Sequence, residues 1–99
     1  MNYEITQDNT KLSVKLEGPL DVRTSPDLER ALFPALEGMT DVDVDLEGVD
    51  YISSAGLRIL LAVEQTVEEK QGTLVIRNVC ENVMDIFKIT GFDEVLHIV

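Results

Sequence analysis

The sequence predicts an α/β fold: one mixed, mainly parallel five-stranded sheet whose helices cover a single face, in the order β-β-α-β-α-β-α-β. Three observations lead there. Segments whose apolar residues recur every second position alternate with segments of helical period, a pattern that favours crossovers between parallel strands. The first two strand-like segments are joined by Asp8-Asn9-Thr10, whose turn-forming residues make them an antiparallel hairpin and the sheet mixed. Finally, Lys11, Ser13, Lys15, Asp43 and Asp45 fall on alternate strand positions. A doubly wound sheet buries both faces of its inner strands, so these polar residues leave one face uncovered.

Tyr3 to Gln7 and Lys11 to Glu17 both alternate and form the hairpin. Gly18-Pro19-Leu20-Asp21 breaks the ladder, and Ser25-Pro26-Asp27 supplies an N-cap, a first-turn proline and an early acid for the first helix. Leu28, Ala31, Leu32, Ala35 and Leu36 form its buried stripe. Pro34 cannot donate to the Arg30 carbonyl, which predicts a loosened helix near Phe33 and an end near Glu37, before Gly38. Val42, Val44 and Leu46 alternate with Asp43 and Asp45 in the third strand. The second helix carries Gly56, Ile59, Leu60, Val63 and Val67 on one face and ends before Gly72.

Thr73 to Arg77 makes the fourth strand, with Leu74 and Ile76 on the same side. Asn78 with Glu81 resembles a capping box opening a third helix, and Gly91-Phe92 resembles a Schellman stop with Phe92 within reach of Phe87. Val95 to Val99 closes the chain as a fifth strand, with His97 as a sheet residue. Phe33, Met84 and Phe87 are assigned to the core in preference to a partner surface.

The chain has 99 residues, 44% of them apolar, enough for one compact domain spanning residues 1–99 and one modest core. It shows no repeat, linker or low-complexity stretch. Without a charged apolar leader or an apolar run of roughly 20 residues, a soluble cytoplasmic monomer is expected. Cys80 is the only cysteine, so no internal disulfide forms; its place on an apolar helix face indicates packing. His97 is the only histidine and has no Cys nearby, so no metal site or other cofactor is expected. The net charge of −11, from 19 acidic and 8 basic residues, argues against nucleic acid and anionic membrane as partners. A basic protein partner would be steered toward such a surface, which also serves solubility.

The junction Ile52-Ser53-Ser54-Ala55-Gly56-Leu57-Arg58 is the most informative stretch. It puts two hydroxyls at the mouth of the second helix, where one of them caps the helix and where free amides and the positive dipole end suit an anion or a phosphoryl group. Capping and close helix–sheet packing at Gly56 account for these residues on one reading, and phosphoryl acceptance on the other. A catalytic serine is disfavoured: no G-x-S-x-G elbow surrounds Ser54 and only His97 could serve as a base. Nor is there a Gly-rich phosphate loop or a Walker lysine.

The run Asp45-Leu46-Glu47-Gly48-Val49-Asp50-Tyr51-Ile52-Ser53-Ser54-Ala55-Gly56-Leu57 resembles the signature of the STAS domain, and more narrowly that of the bacterial anti-sigma factor antagonists. Gly18-Pro19-Leu20-Asp21 is similar to the family's G-x-L-D segment after the second strand, and the element order agrees over essentially the whole chain. The resemblance implies a substrate of regulation and not an enzyme. In that family the serine two residues before the glycine accepts a phosphate, which falls here on Ser54. The unmodified protein binds an anti-sigma factor serine kinase and frees the sigma factor; the phosphorylated form lets go, and a serine phosphatase resets it. Many members carry Asp where this chain has Ser53, so two adjacent hydroxyls stand as candidates. The partner-binding set implied is Asp21, Asp50, Ser53, Ser54, Ala55, Gly56 and Leu57, with solvated loop carboxylates the plainer account of Asp21 and Asp50. The rival reading is a STAS module acting as a non-phosphorylated scaffold or regulatory subunit, in a lipid-transport ATPase complex or a stress-signalling assembly.

Overall fold

A computed structural model describes residues 1–99. The hairpin forms as its sequence dictates: β1 (Asn2–Asp8) pairs antiparallel with β2 (Lys11–Glu17), and Asn9 turns the chain at a left-handed φ of +56°. The strands β3 (Asp41–Gly48) and β4 (Thr73–Arg77) follow in parallel, giving the sheet order β1-β2-β3-β4. Three helices, α1 (Ser25–Ala35), α2 (Ser54–Glu69) and α3 (Glu81–Thr90), supply the crossovers and the cover.

The strict alternation of β2 and β3 decides which face the helices take. Leu12, Val14, Leu16, Val42, Val44 and Leu46 are all buried under them, whereas Lys11, Ser13 and Lys15 stay exposed on the other side. On that open face the register sets Lys11 opposite Asp41 and Lys15 opposite Asp45, and Arg77 pairs with Asp43. A single cluster of 23 buried apolar residues fills the space between sheet and helices, with Phe87, Leu60 and Val63 contributed from above. Phe33 and Met84 pack on its margin, half-buried.

Several details depart from the sequence-based expectation. The sheet has four strands and not five, with one antiparallel and two parallel pairings. After Gly91 closes α3 at φ +81°, the chain winds into a 3₁₀ turn over Phe92–Glu94, and the amides of Val95 and Leu96 both bond back to the Phe92 carbonyl. Those bonds hold Val95 and Leu96 out of the sheet. Only the last residues reach β4, through one Ile76–Ile98 bridge in which the Ile76 amide donates to the His97 carbonyl. The Gly91 stop uses a single bond from its own N–H to the Lys88 carbonyl.

Other corrections concern helix ends. Helix α1 stops at Ala35, two residues before Glu37, because Pro34 loosens its last turn and the Leu36 amide is shared between the Leu32 and Phe33 carbonyls. The Lys70 ammonium covers the freed C-terminus, donating to the Leu36 carbonyl at 2.6 Å. Asn78 and Glu81 make no capping box: Asn78 takes φ +56° and donates its amide to Asp45, leaving Cys80 as N-cap. Cys80 therefore lies just ahead of α3 instead of on its face, and its thiol donates to the Val49 carbonyl at 3.4 Å.

Candidate functional site

Two chain segments meet at the mouth of α2. Leu20 bridges Ile52 in parallel fashion: its amide donates to the Tyr51 carbonyl at 3.0 Å, and its own carbonyl accepts from the Ser53 amide at 2.9 Å. These bonds fix the loop carrying Asp21 beside the segment carrying Ser53 and Ser54. Gly56 allows the approach. A Cβ there would stand 2.7 Å from the Leu20 and Ile52 side chains and 2.8 Å from the Leu20 carbonyl oxygen.

Asp21 is held by its own loop. Its carboxylate accepts from the amides of Arg23 at 2.9 Å and Thr24 at 3.2 Å, and the Thr24 hydroxyl accepts from the Asp21 amide while donating to the Pro19 carbonyl. This turn leads directly into α1, so Thr24 and not Ser25 occupies the N-cap position, and Ser25 becomes a buried first-turn residue whose hydroxyl has no partner. The Arg23 amide is the main reason the Asp21 carboxyl sits below the ordinary aspartate range; partial burial works against it, and Thr24 and the Arg23 charge add to the lowering. The sign follows from linkage. Asp21 adds stability at any pH above its unfolded-state value near 4, and that contribution is lost as pH falls through the lower folded-state value. Asp21→Asn is expected to flatten the acid limb of a pH–stability curve, measured by urea unfolding between pH 2 and 5.

The two serines have different fates. Ser53 takes the N-cap backbone conformation, with φ −98° and ψ 178°, yet its Oγ is buried and makes no capping bond. The expectation that one of these hydroxyls caps α2 is therefore not met. Ser54, one residue on, is exposed. Because the Ser53 hydroxyl satisfies no helix amide, Ser53→Ala is expected to change unfolding free energy by less than about 0.5 kcal/mol, against the roughly 1 kcal/mol typical of a working cap. Equilibrium urea unfolding reads the difference.

The first amide bond of α2 runs from Leu57 to the Ser53 carbonyl at 2.9 Å, so the amides of Ser54, Ala55 and Gly56 find no acceptor within the chain. No acidic residue lies in this first turn. The positive end of α2 therefore faces outward without an anion of its own. Asp50 is exposed in the loop before Ile52, while Gly56 and Leu57 are buried and shape the site from beneath. Ala55 is half-buried on the rim of a groove of about 300 Å³ between α1 and α2, whose lining includes Val22, Ser25, Phe33, Arg58 and Ile59. Sequence reasoning passed over this groove. Arg58, one helical turn after Ser54, is the residue of it that spacing could have flagged.

What this arrangement can do is present one hydroxyl to another protein and tolerate an anion in its place. It assembles no base beside Ser54: His97 lies on the tail against β4.

Comparison with known proteins agrees with this fold. The family profile described as "Mlab, STAS domain" matches residues 3–99. The chain is 33% identical over 99 residues to the anti-sigma-B factor antagonist of Staphylococcus aureus (strain NCTC 8325 / PS 47), covering 99% of this chain and 92% of that protein. Among solved structures it is similar in fold to the anti-sigma factor antagonist SpoIIAA in its unphosphorylated form, with a TM-score of 0.85 at 16% identity over 99% of this chain and 88% of that one. The Bacillus cell fate determinant SpoIIAA in its phosphorylated form superposes with a TM-score of 0.77 at 15% identity, covering 99% and 91%. With its sheet, its helix layer and its serine-bearing junction in place, the chain belongs to the STAS domain family.

Proposed function

We propose that this protein is an anti-sigma factor antagonist switched by phosphorylation of Ser54. Unmodified, it binds an anti-sigma factor serine kinase and so releases the sigma factor; phosphorylated, it dissociates, and a serine phosphatase restores it. It acts in the cytoplasm as a single-domain monomer without cofactor, and as a substrate and not a catalyst. The observation that carries this reading is the contrast between an exposed Ser54 and a Ser53 hydroxyl buried out of a kinase's reach. The relatives named as antagonists and the SpoIIAA structure in a phosphorylated form support it.

The physical consequences run in one direction. Phosphorylation adds about −1.5 to −2 charges and three acceptor oxygens. Free amides and the dipole at the head of α2 favour a nearby anion by roughly 0.3–1 kcal/mol, so the fold survives. A partner docked over Ser54 meets a strongly hydrated dianion close to Asp21 and Asp50, where desolvation and like-charge repulsion both oppose contact. Asp21, Asp50, Ser53, Ala55, Gly56 and Leu57 are the proposed frame of that docking surface, the buried members by shaping it.

The experiment incubates the purified protein with its candidate kinase and ATP, maps the phosphate by mass spectrometry, and repeats with Ser54→Ala and Ser53→Ala. Phosphate is expected on Ser54 and its loss in Ser54→Ala alone; modification confined to Ser53 overturns the assignment. The matching profile is described as Mlab and not as an antagonist. That description favours a second reading, a STAS scaffold or regulatory subunit of a transport or stress-signalling complex that is never switched at Ser54. Stable binding to a transporter subunit with no kinase reaction would establish it.

A further inference from the structure

Arg58 stands apart among the arginines of this chain. Of its four arginines, Arg23, Arg30 and Arg77 each pair with a carboxylate, to Asp21, Asp27 and Asp43. Arg58 makes no ion pair or side-chain hydrogen bond although the chain carries 19 acidic residues. It is exposed on α2, four residues after Ser54. On a helix, side chains four apart share a face, and each Cα–Cβ bond tilts toward the N-terminus, so a long side chain at the later position reaches back over the earlier one. A guanidinium there offers a planar pair of donors suited to phosphate oxygens.

We propose that Arg58 anchors the phosphate of modified Ser54, pairing with it across one turn of α2. This rests on the reading of Ser54 as the phosphate acceptor. The pair does two things. It holds the phosphoserine against the helix head, where the amides of Ser54, Ala55 and Gly56 add further donors, and it withdraws from the α1–α2 groove the one cation that lines it. A partner that uses the free Arg58 in the unmodified state thus loses an attraction at the same moment that it meets the new charge. Arg58 is a positioning residue in this scheme and takes no part in phosphoryl transfer.

The test uses the full chain with phosphoserine installed at position 54 during translation, so that no kinase is needed. The phosphate's second ionisation is followed by ³¹P NMR against pH for the otherwise unaltered protein, R58Q and R58K. The other charges around this end of α2, Asp21, Arg23, Glu29 and Asp50, are the same in all three. The R58Q protein is expected to titrate about half a unit higher, roughly a threefold gain in proton affinity, while R58K keeps most of the original value. A merely structural role for Arg58 leaves these titrations unmoved. Coincident curves for R58Q and the unaltered protein overturn the proposal, as does R58K titrating with R58Q. A kinase that ignores Ser54 defeats the switch yet leaves these titrations readable, so the two failures are distinct.

Discussion

Ser54→Asp is expected to weaken binding to the anti-sigma kinase at least tenfold, about 1.4 kcal/mol, while unfolding free energy moves by less than about 1 kcal/mol. The carboxylate supplies one negative charge where phosphate supplies nearly two, so the variant under-reports the full switch. Its effect on binding has two sources. A charge at an interface must be stripped of water, and it stands near Asp21 and Asp50 in a chain already at −11. Its effect on stability is small because Ser54 is exposed and the first turn of α2 holds no other acid. Isothermal titration with the kinase and urea unfolding separate the two; equal affinities for variant and parent sink charge at this helix mouth as the switch.

Gly56→Ala is expected to cost roughly 1–3 kcal/mol of unfolding free energy, the usual range for forcing extra volume into a packed site. The added Cβ stands 2.8 Å from the Leu20 carbonyl oxygen, a backbone atom that cannot move alone because it accepts the Ser53 amide. Either α2 lifts or the Leu20 strand segment shifts, and both outcomes separate Asp21 from Ser54. Kinase affinity is therefore expected to fall with stability. Chemical shifts of Leu20, Asp21 and Ser53 read the displacement directly, and an unchanged melting curve together with unchanged shifts contradicts the close approach.

The sheet's core-facing and open faces were legible because the alternation in β2 and β3 is strict, and apolar burial obeys a period of two without help from tertiary context. The stripes of α1 and α2 were readable from their own period of about 3.6 residues. Helix ends were not. Ser25-Pro26-Asp27 has the composition of a cap, but Asp21 and Thr24 satisfy the entering turn first, and this depends on the loop geometry set by the Leu20–Ile52 bridge. Likewise Asn78 is drawn away from α3 by Asp45, a partner 33 residues distant that no local pattern reveals. The final strand failed because the turn after Gly91 draws the amides of Val95 and Leu96 back to the Phe92 carbonyl.

At the candidate site, residue identities were legible and their roles were not. Local sequence makes Ser53 and Ser54 near-equivalent hydroxyls; only the fold turns one inward and leaves the other outside. Asp21 looked like a loop carboxylate available to a partner, and one of its two carboxylate oxygens is committed to its own turn. The α1–α2 groove arises from two helices 30 residues apart in sequence at Glu29 and Ile59, and such proximity is invisible to periodicity.

The most direct measurement is the affinity of the cognate anti-sigma kinase for the unmodified protein and for the same protein stoichiometrically phosphorylated at Ser54, by calorimetry in one buffer. The switch predicts a clear heat of binding for the first and a loss of at least a hundredfold for the second, with both forms folded by circular dichroism. Equal affinities for two folded forms would contradict it.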